Sequence, residues 1–147
     1  MNPTAMRFVP AAFDSTSEPA TVAANGSAAP RTERPWGWFE TLATGEGYAV
    51  KRLRILAGRR LSLQRHQHRC EHWIIASGSG RVTCEGTSLE VAAGDTLSIP
   101  VGSLHRAAAG AADLEIIEVQ RGELLSEEDI ERFDDDFGRV VKSHFNL

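Results

Sequence analysis

Gly58-Arg59-Arg60-Leu61-Ser62-Leu63-Gln64-Arg65-His66-Gln67-His68-Arg69-Cys70-Glu71-His72-Trp73-Ile74-Ile75-Ala76-Ser77-Gly78 holds most of the chain's histidines, and fifteen residues later Gly94 opens a second block that runs through Pro100 and Gly102 to His105. Alternate side chains of a strand share a face, so an extended chain puts Gln64, His66 and His68 on one side, and Glu71, Trp73 and Ile75 on one side of the next run. Ser77-Gly78-Ser79-Gly80 and Ile99-Pro100-Val101-Gly102 are turn signals, and the second delivers His105 to the start of another strand. Four of the five histidines, His66, His68, His72 and His105, fall inside these two blocks. A lone histidine is more often packing or surface; four gathered this way, with a carboxylate, point to a metal. Imidazole and carboxylate suit Zn, Mn, Fe or Ni, and an amide oxygen suits a harder site. The preferred ligand set is Gln64, His66, Glu71 and His105. His68 is the rival ligand, because His66-Gln67-His68 is itself a paired motif. His72 falls on the opposite face from Glu71 and is expected to point outward.

Working outward, short β-like runs separated by turns continue in both directions. They cover Trp38 to Leu42, Tyr48 to Leu56, Leu61 to His66, Glu71 to Ala76, Arg81 to Glu85, Ser88 to Val91, Thr96 to Ile99, His105 to Ala108 and Leu114 to Gln120. Strands this short and evenly spaced predict an all-β barrel or sandwich. Met1 to about Pro30 is rich in Ala, Ser, Thr and Pro without a persistent period, so residues 1–30 are expected to be a flexible tail, followed by one domain over 31–147. Near the other end, Ser126 looks like a helix N-cap followed by Glu127, Glu128 and Asp129, which predicts a short C-terminal helix. The run Asp134-Asp135-Asp136 is expected to be a solvated face.

Composition narrows the function classes. With 147 residues and a net charge of −4, the chain reads as one domain with no nucleic-acid partner. No apolar run approaches the roughly 18 residues of a membrane span. The N-terminus lacks the pattern of a secretory signal. Cys70 and Cys84 are expected to be free thiols in a reducing cytoplasm.

The spacing Gly58–Gln64–His66–Glu71–Gly78 and Gly94–Pro100–Gly102–His105 resembles the two-part signature of a cupin, with Gln64 in place of the usual first His. A longer ordered series is similar to the cupin domain of type II mannose-6-phosphate isomerases. It begins at Arg34-Pro35-Trp36-Gly37 and passes through Leu61-Ser62-Leu63-Gln64, Glu71-His72-Trp73, Ile99-Pro100 and Glu115 to Gln120. It ends at Arg132-Phe133 and Phe137-Gly138-Arg139. The departures are Cys70 for the usual Ala, Ala109 for the usual Asn, and an Asp-rich ending. In the common bifunctional form this domain follows a mannose-1-phosphate guanylyltransferase domain, whose Gly-rich loop is not in the sequence, so GDP-mannose synthesis is not expected.

The resemblance implies a cupin (double-stranded β-helix, jelly-roll) fold and one divalent ion, with Zn the first choice over Mn, Fe, Co or Ni. It implies metal-dependent interconversion of mannose 6-phosphate and fructose 6-phosphate through a cis-enediol. Glu118 is then the candidate base and Arg139 a candidate catalytic cation, while Lys51, Arg52 and Arg132 are candidates for holding the phosphate. Trp36 and Trp73 are expected to serve as core more than as walls of a sugar site. Trp36, Trp38 and Phe39 could supply a homodimer surface. Two other classes remain at this point. A metal-dependent cupin oxygenase would need His68 in place of Gln64. A non-catalytic cupin would bind sugar or metal without turnover.

Overall fold

The computed structural model describes residues 29–140; the expected tail over 1–28 and the last seven residues, including His144, lie outside the described residues. Eleven strands follow one another: β1 (Thr32–Arg34), β2 (Gly37–Gly45), β3 (Tyr48–Ile55), β4 (Leu63–Arg65), β5 (Arg69–Ser77), β6 (Ser79–Cys84), β7 (Thr87–Ala92), β8 (Thr96–Ile99), β9 (His105–Ala109), β10 (Leu114–Gly122) and β11 (Glu131–Asp134). They form two antiparallel sheets, ordered β1-β2-β3-β10-β5-β8 and β11-β4-β9-β6-β7. The all-β expectation holds.

Strict alternation decides what each strand puts inside. On β5, Arg69, Glu71, Trp73 and Ile75 are buried, while His72 and Ile74 are exposed. On β10 the inward row is Leu114, Ile116, Glu118 and Gln120, and on β3 it is Ala49, Lys51, Leu53 and Ile55. One end of each row is apolar. Ile55, Ile75, Leu114 and Ile116 meet Val82 and Ile99 there in a dry core, each burial stabilising by about 1.5–3 kcal/mol. The other end of the same rows is polar, and that polar end is the site.

Two turns need glycine for stated reasons. Gly78 has φ +81°, and a Cβ on it would lie 2.1 Å from the Asp113 carbonyl oxygen. Glu85 and Gly86, both with positive φ, make the two-residue hairpin between β6 and β7.

The C-terminal helix is not formed among the described residues. Ser126 Oγ does accept the Glu128 N–H (3.1 Å), as an N-cap would, but only single-turn bonds follow, from Asp129 N–H to the Ser126 carbonyl and from Ile130 N–H to the Glu128 carbonyl. The chain then straightens into β11, which adds to the edge of β4 with Arg132 opposite Gln64. Sheet pairing outweighs local helical preference in this stretch. In the run Asp134-Asp135-Asp136, Asp134 and Asp136 are exposed as expected and Asp135 is half-buried, but all three carry ion pairs. Arg106 pairs with Asp134 (2.9 Å) and Arg60 with Asp136 (2.7 Å), tying this segment to the barrel, while Arg139 pairs locally with Asp135 (2.8 Å). Trp36 and Trp38 are buried within the chain and Phe39 packs on the core, so they do not offer an open dimer surface.

Candidate metal centre and cleft

Both sheets contribute to one buried cluster. Gln64 on β4 is paired with His105 on β9, His66 follows β4 directly, and Glu71 comes from β5 of the opposite sheet. One ligand atom from each of His66, Glu71 and His105 lies within 4.8 Å of the others. His66 Nε2 is 3.1 Å from Glu71 Oε1, and His105 Nε2 is 3.4 Å from Oε2. All three side chains are buried.

The outer nitrogens orient the rings. His66 Nδ1–H donates to the Asp129 carbonyl (2.6 Å) and His105 Nδ1–H to the Ser103 carbonyl (2.8 Å). A neutral ring whose Nδ1–H is given away in this manner presents the Nε2 lone pair. His105 Nε2 is buried without a hydrogen-bond partner, since its approach to Glu71 is not aligned as a bond. Burial works to raise the Glu71 carboxyl, but the facing imidazoles of His105 and His66 outweigh it and hold it well below its ordinary value. Two ring nitrogens and a carboxylate thus converge on a space that needs positive charge, either protons or a metal ion. The donor set fits a zinc-like divalent cation.

Gln64 borders this cluster. Its Oε1 accepts from Ser62 Oγ (2.7 Å) and its amide nitrogen lies 3.5 Å from His66 Nε2; turning the amide over would bring its oxygen to the cluster. His68 is placed elsewhere. The strand stops at Arg65, the chain bends over 66–68, and His68 is exposed. The bend is held by Asp129, whose carboxylate accepts the N–H groups of Gln67 and His68 (both 3.0 Å).

An open cleft of about 550 Å³, including solvent at its mouth, reaches the cluster through Gln64, Arg69 and Glu71. Glu118 and Gln120 also line it. The buried Glu118 carboxylate accepts Trp73 Nε1–H (3.0 Å) and Gln120 Nε2–H (2.7 Å). Burial first, and the neighbouring Glu71 charge second, push Glu118 up to about 8. Of the expected phosphate residues, Lys51, Arg132 and Arg139 line the cleft, with Lys51 paired to Glu127. Arg52 does not. It neighbours Lys51 and so points out of the opposite face, where it pairs with Glu40 (2.7 Å) over Trp38.

Arg34 and Arg69 are cleft residues that sequence reasoning left without a role. Arg69 is buried on the same face as Glu71. Its Nε–H donates to Glu71 Oε1 (3.1 Å), another guanidinium nitrogen lies 3.4 Å from His66 Nε2, and a third donates to the Ser126 carbonyl (2.9 Å). Its spacing of two residues from Glu71 was the available signal. Arg34, Arg132 and Arg139 stand close enough that burial and the charges of Arg139 and Arg34 lower the Arg132 pKa. Arg132 Nε is a buried donor without a partner.

A family profile described as "Mannose-6-phosphate isomerase C-terminal" matches residues 25–135. The chain belongs to this family. Its relatives include the alginate biosynthesis protein AlgA of Pseudomonas aeruginosa, 44% identical over 110 residues, which cover 74% of this chain and 23% of that protein. The mannose-1-phosphate guanylyltransferase ManC of Salmonella typhimurium is 41% identical over 108 residues, or 73% of this chain and 22% of that protein. The chain therefore spans about a quarter of the length of the relatives it matches. Family members' fold is seen in more distant structures. The Bacillus subtilis oxalate decarboxylase OxdC superposes with a TM-score of 0.64 at 23% identity, covering 71% of this chain and 30% of that one. The Schizosaccharomyces pombe Cnp3 cupin domain does so with 0.55 at 17%, covering 58% and 64%. The fold is a cupin. Among the described residues no helix is long and apolar enough to cross a membrane.

Proposed function

We propose that this domain is a metal-dependent aldose–ketose isomerase that interconverts mannose 6-phosphate and fructose 6-phosphate. The observation that carries the reading is a single cleft lined both by members of the metal-type cluster and by a group of guanidinium cations, in a chain of the mannose-6-phosphate isomerase C-terminal family. The reaction removes a proton from C2, passes through a cis-enediol and returns a proton to C1. Gln64, His66, Glu71 and His105 would hold a divalent ion, whose chemistry is to polarise the C1 and C2 oxygens.

The chain's own groups account for the remaining work. Glu118 is a general base with a pKa of about 8, near the operating pH, held by Trp73 and Gln120 inside the cleft. Arg132, with an unpartnered Nε and two other arginines beside it, is suited to a phosphate dianion, and Arg34 and Arg139 share that task. Arg139 is fixed for it by two bonds to Asp135 (2.8 and 2.9 Å). Lys51 adds a cation beside Phe39. An oxygenase reading loses support because His68 is exposed, away from the cluster.

The test is Glu118→Gln, which keeps the shape and removes the base. It is expected to leave zinc and sugar-phosphate binding intact and lower turnover by at least 100-fold, a typical loss of general-base assistance. Turnover unchanged in this variant would refute the role of Glu118.

A further inference from the structure

Gln120 has no role in the account so far beyond its bond to Glu118, yet its environment is unusual. It is 2% exposed, lines the cleft and sits directly opposite Glu71 in the β10–β5 register. Its Nε2–H donates to Glu118 Oε1 (2.7 Å), and with Glu118 in its base form, an acceptor only, this fixes the amide orientation. Its Oε1 is left buried without a partner. A buried carbonyl oxygen with nothing to accept from costs about 1–3 kcal/mol, so such a group inside a ligand cleft is expected to be satisfied by the ligand.

The groups around it say what the ligand must offer. Glu118 takes the amide's other end, and Glu71 lies across the strand pair; both are acceptors. The nearby donors are committed elsewhere, Arg69 to Glu71 and the Ser126 carbonyl and Lys51 to Glu127, so Gln120 Oε1 is left to the ligand, while Arg34, Arg132 and Arg139 line the same cleft. A ligand that satisfies both groups carries a hydroxyl donor and an anion.

We infer that Gln120 is a specificity residue: its Oε1 accepts a hydrogen bond from a substrate hydroxyl beyond the reacting C1–C2 pair, at C3 or C4. This deepens the isomerase reading and rests on it. Gln120 consequently links recognition to the base, because the same amide that reads the hydroxyl orients Glu118.

The experiment is a cycle between ligand and protein. Binding of mannose 6-phosphate, its 3-deoxy analogue and its 4-deoxy analogue is measured by calorimetry on the zinc-loaded wild type and on Gln120→Met, with turnover followed in parallel. Mannose 6-phosphate is expected to bind Gln120→Met roughly tenfold more weakly than the wild type. One of the two deoxy analogues should lose that sensitivity and bind both proteins equally. Equal sensitivity of all three ligands overturns the inference, as does mannose 6-phosphate binding that ignores the substitution. Zinc titration of both proteins checks that the substitution leaves the metal centre intact. Absence of both binding and turnover in the wild type would instead count against the isomerase reading itself.

Discussion

Substituting Asp129 tests how the fold is coupled to the metal centre. Its carboxylate accepts two backbone N–H groups, from Gln67 and His68, and its own carbonyl accepts His66 Nδ1–H. Burial would raise its pKa, but the two backbone bonds and the nearby Arg69 and His66 charges win, so it is ionised at neutral pH. Hydrogen bonds to a charged group contribute about 1.5–3 kcal/mol each. Asp129 is half-buried and water replaces part of that, which leaves about 2 kcal/mol lost in Asp129→Ala, or roughly 10 °C in Tm for a domain of this size. The substitution keeps the carbonyl that orients His66 but frees the bend it sits on. Outer partners of metal-bound histidines are typically worth 10–100-fold in affinity, and zinc affinity is expected to fall within that range, with Asp129→Asn intermediate. Denaturant unfolding gives the first number and competition with a chromophoric chelator the second. A folded Asp129→Ala protein that loses stability but binds zinc as tightly as wild type would refute the coupling.

Three further outcomes are expected. Arg139 holds Asp135 down to about 2, with burial partly opposing it; this contribution is present above the ordinary carboxylate value and is lost as pH falls through about 2. Asp135→Asn should therefore cost about 1–2 kcal/mol at pH 7 and nothing at pH 2, as read by unfolding curves at both. Glu118 behaves in the opposite sense: the fold retains a proton that the unfolded chain releases near pH 4.5. Stability of the metal-free protein should decline between about pH 4.5 and 8 by up to about 1.4 kcal/mol per unit from this group, and Glu118→Gln should flatten that slope. Cys84 is buried, with its thiol pushed up by burial and then by Glu85, whereas Cys70 is half-buried. A thiol reagent should label one equivalent in the native protein, lost in Cys70→Ser, and a second only on unfolding.

Much of the barrel was readable because alternation is a local property. The pattern in Arg69 to Ser77 and in Leu114 to Gln120 assigns faces correctly without knowing any partner. Arg52 came from the resemblance rather than from parity; alternation along Tyr48–Ile55 puts it on the face opposite Lys51, Leu53 and Ile55, away from the cleft. Residues Ser126 to Asp129 misled because an N-cap bond really forms there, while the edge of β4 that recruits β11 is invisible in local sequence. Arg69 was missed for a related reason. A guanidinium beside metal-type ligands runs against expectation from composition, and only the closed barrel brings it onto Glu71 and His66. The ion pairs of the three aspartates were not legible because their arginine partners lie 4 to 76 residues away.

The most direct test of the central claim is a proton NMR time course of zinc-loaded protein with mannose 6-phosphate. Growth of fructose 6-phosphate signals, abolished by chelation and by His66→Ala or Glu71→Ala, is the predicted result. Folded, zinc-bound protein that binds mannose 6-phosphate yet leaves it unchanged would contradict the isomerase account and point to a cupin that binds without turnover.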